Sequence, residues 1–161
     1  MSNSLSLAPQ KAIYTKNGVI VEDLSAGIPM GVDVQSGNVI NTFGVWTTLD
    51  AALSEKSYLT SFMVRPKVAA ILGGVSLIHA FCIEIGKGVA ASEVTISRHS
   101  FEVEYDWVSD VGITLLPAYL VSLSVPIEVG SGLRLAARAS DNNANNLGYT
   151  IAAQYYQSLE G

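Results

Sequence analysis

The sequence predicts an all-β fold, an antiparallel β-sandwich of jelly-roll-like topology with an extended N-terminal arm. Short segments with apolar residues at every second position recur along the chain, separated by turn signals at roughly 8–12-residue spacing. No amphipathic stretch reaches the ten to twelve residues or so that identify a helix. Strands and helices do not alternate, which argues against a parallel α/β sheet. A jelly roll is one arrangement that accommodates this many antiparallel strands.

The chain of 161 residues divides into two predicted parts. Residues 1–40 are rich in Ser, Asn and Gly, and their apolar residues come in short groups, so we predict an arm with short strands. Within it, Lys16-Asn17-Gly18 indicates a hairpin, because both central residues of a type I′ turn need positive φ. Residues 41–161 form the predicted sandwich domain. We expect neighbouring protein to hold the arm by strand addition.

The middle of the chain contains the clearest alternating segments. Pro66 is expected to end one strand, because proline has no backbone N–H to donate to a neighbouring strand. The glycines of Gly86-Lys87-Gly88 are expected to turn the chain. The predicted strands cover residues 43–49, 58–65, 77–85, 93–98, 101–105 and 119–125.

The C-terminal stretch has the most regular pattern. A Gly130-Ser131-Gly132 corner precedes a strand with Leu, Ala and Ala on one face, and residues 149–156 alternate in the same way. The Asn-rich segment 141–146 between them is typical of a polar loop. We therefore predict a C-terminal β-hairpin, with Gly130 and Gly132 as structural turn residues that permit left-handed backbone.

Composition excludes several classes of partner. Charged residues are only 14% and apolar residues 49%, against about 25% charged in typical domains. Because extensive interfaces are depleted of charge, we expect a homo-oligomer. The net charge of −5 and the scattered basic residues argue against nucleic acid. No apolar run of about 20 residues indicates a membrane span, and a single cysteine, Cys82, excludes an intramolecular disulfide.

No catalytic constellation can be named, so we predict a protein that is not an enzyme and has no cofactor and no metal. The Gly86–Gly88 segment lacks the longer loop and following helix of a P-loop. Glu102, Glu104 and Asp106 share one strand face, but a straight strand spreads carboxylates too far for Ca²⁺. A solvated face or a charged subunit contact is the favoured interpretation.

Five residues are candidates for an interface: Trp107, Arg134, Arg138, Glu102 and Glu104. Trp107 lies in a predicted loop, where contact with a partner and burial in the core are equally favoured and glycan stacking comes third. The two arginines share one strand face, and the carboxylate row could meet them on another strand or another subunit. Such exposed pairs contribute little stability but can set register.

Two segments together resemble a known class of protein. They are AFCIEIGKGVAASEVTI (residues 80–96) and VPIEVGSGLRLAARA (residues 125–139). In this order they look like segments of small β-sandwich virion structural proteins of tailed bacteriophages, of the head cement or decoration type. The resemblance extends over about residues 43–156, and residues 1–42 lie outside it.

The resemblance implies a non-enzymatic capsid cement or decoration protein that stabilises the phage head through contacts with the major capsid protein or other virion proteins. It also implies a location in the virion after assembly in the host cytoplasm. The alternative is a carbohydrate- or receptor-binding sandwich at the tail or a fibre. Saturable glycan binding that is lost in a Trp107→Ala variant would favour that alternative.

Overall fold

The computed structural model describes residues 13–16, 19–26, 31–53, 55–67, 77–105, 118–142 and 148–158. All regular elements in these ranges are β-strands, which confirms the predicted all-β class. No helix in the described part is long and apolar enough to cross a membrane.

The described residues form ten antiparallel strands in two sheets. The strands are β1 (Ile13–Lys16), β2 (Val19–Ala26), β3 (Val32–Gln35), β4 (Thr47–Asp50), β5 (Ser57–Lys67), β6 (Leu77–Gly88), β7 (Val94–Tyr105), β8 (Tyr119–Val129), β9 (Arg134–Asp141) and β10 (Gly148–Ser158). The six-stranded sheet has the order β1-β2-β10-β5-β8, with β3 also paired to β10. The four-stranded sheet has the order β4-β9-β6-β7.

The connections give the sandwich its jelly-roll topology. From β3 onward, the order β3-β10-β5-β8 faces the order β4-β9-β6-β7. Among these eight strands only β6 and β7 are consecutive in the chain and adjacent in a sheet; every other connection crosses between the sheets. This crossing pattern, with four strands in each layer, is that of a jelly roll, so the predicted sandwich architecture is confirmed.

The core lies between the sheets and follows the alternation of the strands. Every second side chain of the central strands points inward, because successive residues of a strand face opposite sides. This confirms the alternation of apolar residues predicted along the chain. The buried residues are Phe81, Ile83 and Ile85 of β6, Leu135, Ala137 and Ala139 of β9, and Tyr149, Ile151, Ala153 and Tyr155 of β10.

The predicted C-terminal hairpin is wrong. β9 belongs to the four-stranded sheet and β10 to the six-stranded one, so the two strands face each other across the core. Period-two alternation fixes which side of a strand is buried. It does not distinguish two apolar faces lying side by side in one sheet from two faces opposed across the roughly 10 Å between packed sheets.

The predicted turn at Gly86–Gly88 is also wrong. β6 continues to Gly88, and the chain turns only at residues 89–92, where the Ser92 N–H donates to the Val89 carbonyl at 3.0 Å. Gly86 instead permits a close approach. A Cβ placed on it would lie 2.6 Å from the Trp46 ring, a contact that real Cβ atoms avoid.

Strand limits differ at three further places. Pro66 lies inside β5 opposite Tyr149, where it is tolerated because pairing with β8 on the other side ends at Val64. Residues 94–105 form one continuous strand rather than two. Of the strand predicted over residues 43–49, only the end from Thr47 belongs to β4.

The N-terminal segment extends the six-stranded sheet. β1 and β2 pair with Lys16 opposite Val19, as the hairpin interpretation predicts, although Asn17 and Gly18 lie outside the described residues. β2 and β3 pair along the same edge of β10, and Val34 of β3 is fully buried in the core. Residues 32–35 thus contribute to the sandwich. The expectation that neighbouring protein holds the arm stays a prediction.

We expect Gly132→Val to lower the free energy of unfolding by about 1–3 kcal/mol. Gly132 has a φ of 72°, and its N–H donates to the Leu53 carbonyl at 2.7 Å. A Cβ there would meet no atom within 4 Å, so the loss would come from the left-handed backbone alone. Urea denaturation measures the effect.

Gly130→Ala is the matched control. The φ of Gly130 lies outside the left-handed region, and a Cβ there makes an ordinary 3.4 Å contact with Leu133. Equal losses in the two variants would show that backbone conformation does not distinguish the two glycines.

Candidate interface on the outer face of the four-stranded sheet

Three of the five candidate residues, Arg134, Arg138 and Glu102, lie on one surface, the outer face of the four-stranded sheet, which points away from the six-stranded sheet. Arg134 and Arg138 are the two partly exposed residues of β9, and its other residues are buried. The strand register places the exposed Glu102 opposite Ala80 and Glu104 opposite Ile78. The fifth candidate, Trp107, lies outside the described residues.

A row of three charges crosses this face. The register aligns Arg138 of β9, Glu84 of β6 and Arg98 of β7. Arg98 Nε donates to Glu84 Oε1 at 2.5 Å, and Arg138 Nε donates to Glu84 Oε2 at 2.5 Å. Each oxygen of the carboxylate therefore receives a charge-assisted hydrogen bond from a different strand, which is among the stronger polar contacts in proteins.

Two aromatic rings cover the row. The Arg138 guanidinium lies 4.7 Å from the centroid of Phe43 and 4.4 Å from that of Trp46, within the range of cation–π attraction. Arg98 lies 5.6 Å from the Phe43 ring. The Glu84 side chain beneath them is fully buried. The rings and the guanidinium groups thus keep water from a carboxylate that points away from the core.

The position of these rings depends on the crossing from β3 to β4. That segment runs beside β9, where the Asn41 N–H donates to the Asp141 carbonyl at 2.7 Å and the Gly44 N–H to the Ala139 carbonyl at 2.9 Å. These bonds hold the chain against the sheet edge, and Phe43 and Trp46 lie over its outer face. The segment between β3 and β4 therefore extends the backbone pairing along β9 beyond β4.

The electrostatics of the row keep Glu84 ionised. Burial alone would raise its pKa, and burial is the largest single influence. The hydrogen bonds and charges of Arg138 and Arg98 together outweigh it, so the pKa lies below the ordinary value. At neutral pH the row carries two positive charges and one negative charge.

A second ion pair holds Arg134. Its guanidinium contacts the buried carboxylate of Glu93, and Arg134 Nη1 donates to Thr48 Oγ1 at 2.8 Å. This pair links β9 to β4 and to the residue just before β7.

The arginines therefore pair with carboxylates that sequence analysis did not select. Glu84 and Glu93 are the partners, whereas Glu102 is exposed on β7. A signal for Glu84 was present in the sequence: it occupies an outward position between Ile83 and Ile85 in an otherwise apolar strand, and a charge in such a setting needs a partner.

Beside the charge row lies a shallow depression of about 310 Å³. Small side chains line it, including Ala80, Cys82, Ser100 and Ser140, with Glu102 among the other lining residues. Within the described part of the chain, no group of three or more His, Cys, Asp or Glu residues could hold a metal ion.

A separate polar cluster lies inside the sandwich. The Tyr149 hydroxyl donates to Asp141 Oδ2 at 3.1 Å and lies 3.0 Å from His79 Nε2. All three residues are buried, and burial lowers the pKa of His79, an effect that the charge of Asp141 partly offsets. His79 is thus hydrogen-bonded within the sandwich, and the cluster links β6, β9 and β10.

No family of protein sequences matches the chain, and no curated protein is significantly similar to it. A chain in the structure of the infectious bursal disease virus Gx strain matches 93% of this chain and 37% of its own, with 12% identity and a TM-score of 0.37. A chain in the crystal structure of the IBDV viral particle matches 91% and 39%, with 12% identity and a TM-score of 0.33. This chain spans less than two fifths of either.

We expect Glu84→Ala to lower the free energy of unfolding by about 2–3 kcal/mol, because it leaves two arginines without their shared carboxylate. Glu102→Ala on the same face should change it by less than about 0.5 kcal/mol, since Glu102 is exposed. Chemical denaturation of both variants measures the difference. Similar losses in the two variants would contradict a stabilising role for the charge row.

The row also predicts a pH dependence. Because the pKa of Glu84 is depressed by folding, its contribution to stability is complete above the ordinary value of 4.5 and is lost as pH falls through the lower folded pKa. Glu84→Gln should therefore flatten the acid limb of the curve of unfolding free energy against pH. An acid limb identical to that of the wild type would contradict the assignment.

Proposed function

We propose that this chain is a non-enzymatic structural protein of a virus particle, and more narrowly a cement or decoration protein on the head of a tailed bacteriophage. Its partners would be the major capsid protein or other virion proteins. The likeness of residues 80–96 and 125–139 to such proteins supports the proposal. So does the eight-stranded jelly-roll core, an architecture that recurs in viral capsids as well as in lectins and other proteins.

The observation that carries the proposal is the amount of apolar surface left uncovered. Among the described residues, seven large apolar side chains are between 50% and 80% exposed. One group lies on the crossing before β4, one flanks the turn between β6 and β7, and one lies on β8. These groups are Val39, Ile40 and Val45; Val89 and Val94; and Leu120 and Val125.

The distribution of these groups favours several neighbours rather than one. Single exposed apolar residues are ordinary on a protein surface. Here they occur in separate groups on a chain with only 14% charged residues, and extensive interfaces are depleted of charge in the same way. A subunit surrounded by other subunits in a shell would have this kind of surface.

The internal ion pairs support the same interpretation. Four of the charged groups on the outer face, on Glu84, Arg138, Glu93 and Arg134, are engaged within the chain. Charges fixed in this way need no rearrangement when a partner covers the face. A permanent assembly benefits from such rigidity, because binding then costs little side-chain ordering.

Position on the particle tests the proposal. Antibodies raised against the chain should label intact heads in immunogold electron microscopy of purified particles of the phage that encodes it. Labelling of tails or fibres would favour the alternative receptor-binding role. Particles without label would overturn a structural role in the virion.

A surface variant tests the role of the apolar groups. Val45, at 80% exposure the most exposed of them, is replaced by aspartate, and attachment to heads lacking the protein is measured by co-sedimentation. We expect attachment to weaken by at least about tenfold, because a charge would be buried in the contact. Ser131→Asp, at an exposed position outside the three groups, is the matched control. Equal attachment by the two variants would show that Val45 is not part of the interface.

A further inference from the structure

β7 forms an open edge of the four-stranded sheet. Among the described residues it pairs on one side only, with β6, along nearly its whole length from Val94 to Tyr105. It contains neither proline nor glycine, and the single irregularity in its ladder lies near its beginning. Such a strand presents a regular row of backbone donors and acceptors to another chain.

β8 is the edge strand of the six-stranded sheet on the same side of the sandwich, and its edge is less regular than that of β7. Its pairing with β5 is interrupted at residues 123–126, where four residues, including Pro126, stand opposite Thr60. A bulge and a proline are devices that blunt an edge strand against further pairing. The β8 edge is thus protected against pairing with a further strand, whereas the β7 edge is regular.

We propose that the β7 edge binds β7 of a second copy, antiparallel and about a two-fold axis through Ser100, so that two four-stranded sheets become one of eight strands. A two-fold contact brings the same surface of both copies together, so the edge must be complementary to itself. Residues directly opposite one another in an antiparallel pair lie on the same face. A register centred on a residue of β7 therefore keeps both outer faces on one side of the joined sheet.

Charge favours Ser100 over Arg98 and Glu102 as the centre. In that register Arg98 lies opposite the partner's Glu102, and Glu102 lies opposite the partner's Arg98, which gives two pairs of opposite charge. Opposite charges at directly facing positions stabilise a strand pair, and like charges destabilise it. Centring on Arg98 or on Glu102 would bring like charges face to face.

The described side chains suit this arrangement. Arg98 is held by Glu84 and is still 61% exposed, so its guanidinium is already positioned at the surface. Glu102 and Ser100 are exposed. On the inner face, partly buried Phe101 would lie opposite the partner's His99, which would extend the core across the junction.

This inference does not rest on the proposed function. A β7 dimer in solution would stand even if the chain were found on no particle, and a chain that attaches to heads as a monomer would refute the dimer alone. The two proposals therefore fail in distinguishable experiments.

Sedimentation equilibrium tests the dimer. The wild type should approach twice its 17.0 kDa mass. Ser100→Lys places two ammonium groups on the axis, and Glu102→Arg faces Arg98 with a like charge, so each should raise the dimer dissociation constant by at least about tenfold. Ser122→Lys, at an exposed position on β8, is the matched control and should dimerise as the wild type does. Far-ultraviolet circular dichroism checks that all variants are folded.

A wild type that stays monomeric at its highest soluble concentration would overturn the proposal. Dimerisation of Ser100→Lys as tight as that of Ser122→Lys would overturn it too. Loss of dimerisation in Glu104→Arg but not in Glu102→Arg would overturn the Ser100 register.

The single cysteine supplies an independent probe of the geometry. Cys82 of β6 lies directly opposite Ser100, so in the dimer the two Cys82 Cα atoms would be three strand spacings apart, about 14 Å. A nitroxide attached to Cys82 should show dipolar broadening that disappears in Ser100→Lys or on mixing with unlabelled protein. A wild-type dimer without broadening would place the contact on another surface.

Discussion

The buried carboxylate of Glu84 is the constraint around which the four-stranded sheet is arranged. It points away from the core on a central strand, yet it is fully buried, and a charge removed from water requires partners. Arg98 and Arg138 supply them from the strands on either side. The rings of Phe43 and Trp46 in turn pack over these guanidinium groups. The path of the chain between β3 and β4 is thus tied to one charge on β6.

The same arrangement also removes several charges of the outer face from water. On the outer face, charged groups that would normally be hydrated are engaged with one another or with aromatic rings. What remains exposed includes groups of valine, leucine and isoleucine. A surface of this kind is poorly suited to an isolated monomer and well suited to contact with other protein. The engagement of these charges and the exposure of these apolar groups are therefore two consequences of one composition.

Sequence reasoning predicted what depends on alternation and missed what depends on long-range pairing. The buried faces of β6, β9 and β10 follow from period two, because each strand has one apolar side. The relation of β9 to β10 does not, since two apolar faces can be neighbours or opposites. Arg134 and Arg138 were predicted as interface candidates that the Glu102 and Glu104 row could meet, whereas the actual partner of Arg138 is Glu84, which lies 54 residues away in sequence. Only the strand register places the two side chains together, and alternation carries no information about which strands pair.

The two edges on one side of the sandwich show how local sequence decides where a sheet can grow. β8 carries Pro126 within a four-residue interruption of its pairing, and a proline cannot donate to a further strand. β7 has no such residue, and its outward charges are ordered with Arg98 before Glu102. Two-fold antiparallel pairing reverses that order in the second copy, so each arginine can meet a carboxylate. Charged side chains on an edge strand disfavour pairing with unrelated strands. On β7 the same charges can favour one register of pairing with a second copy.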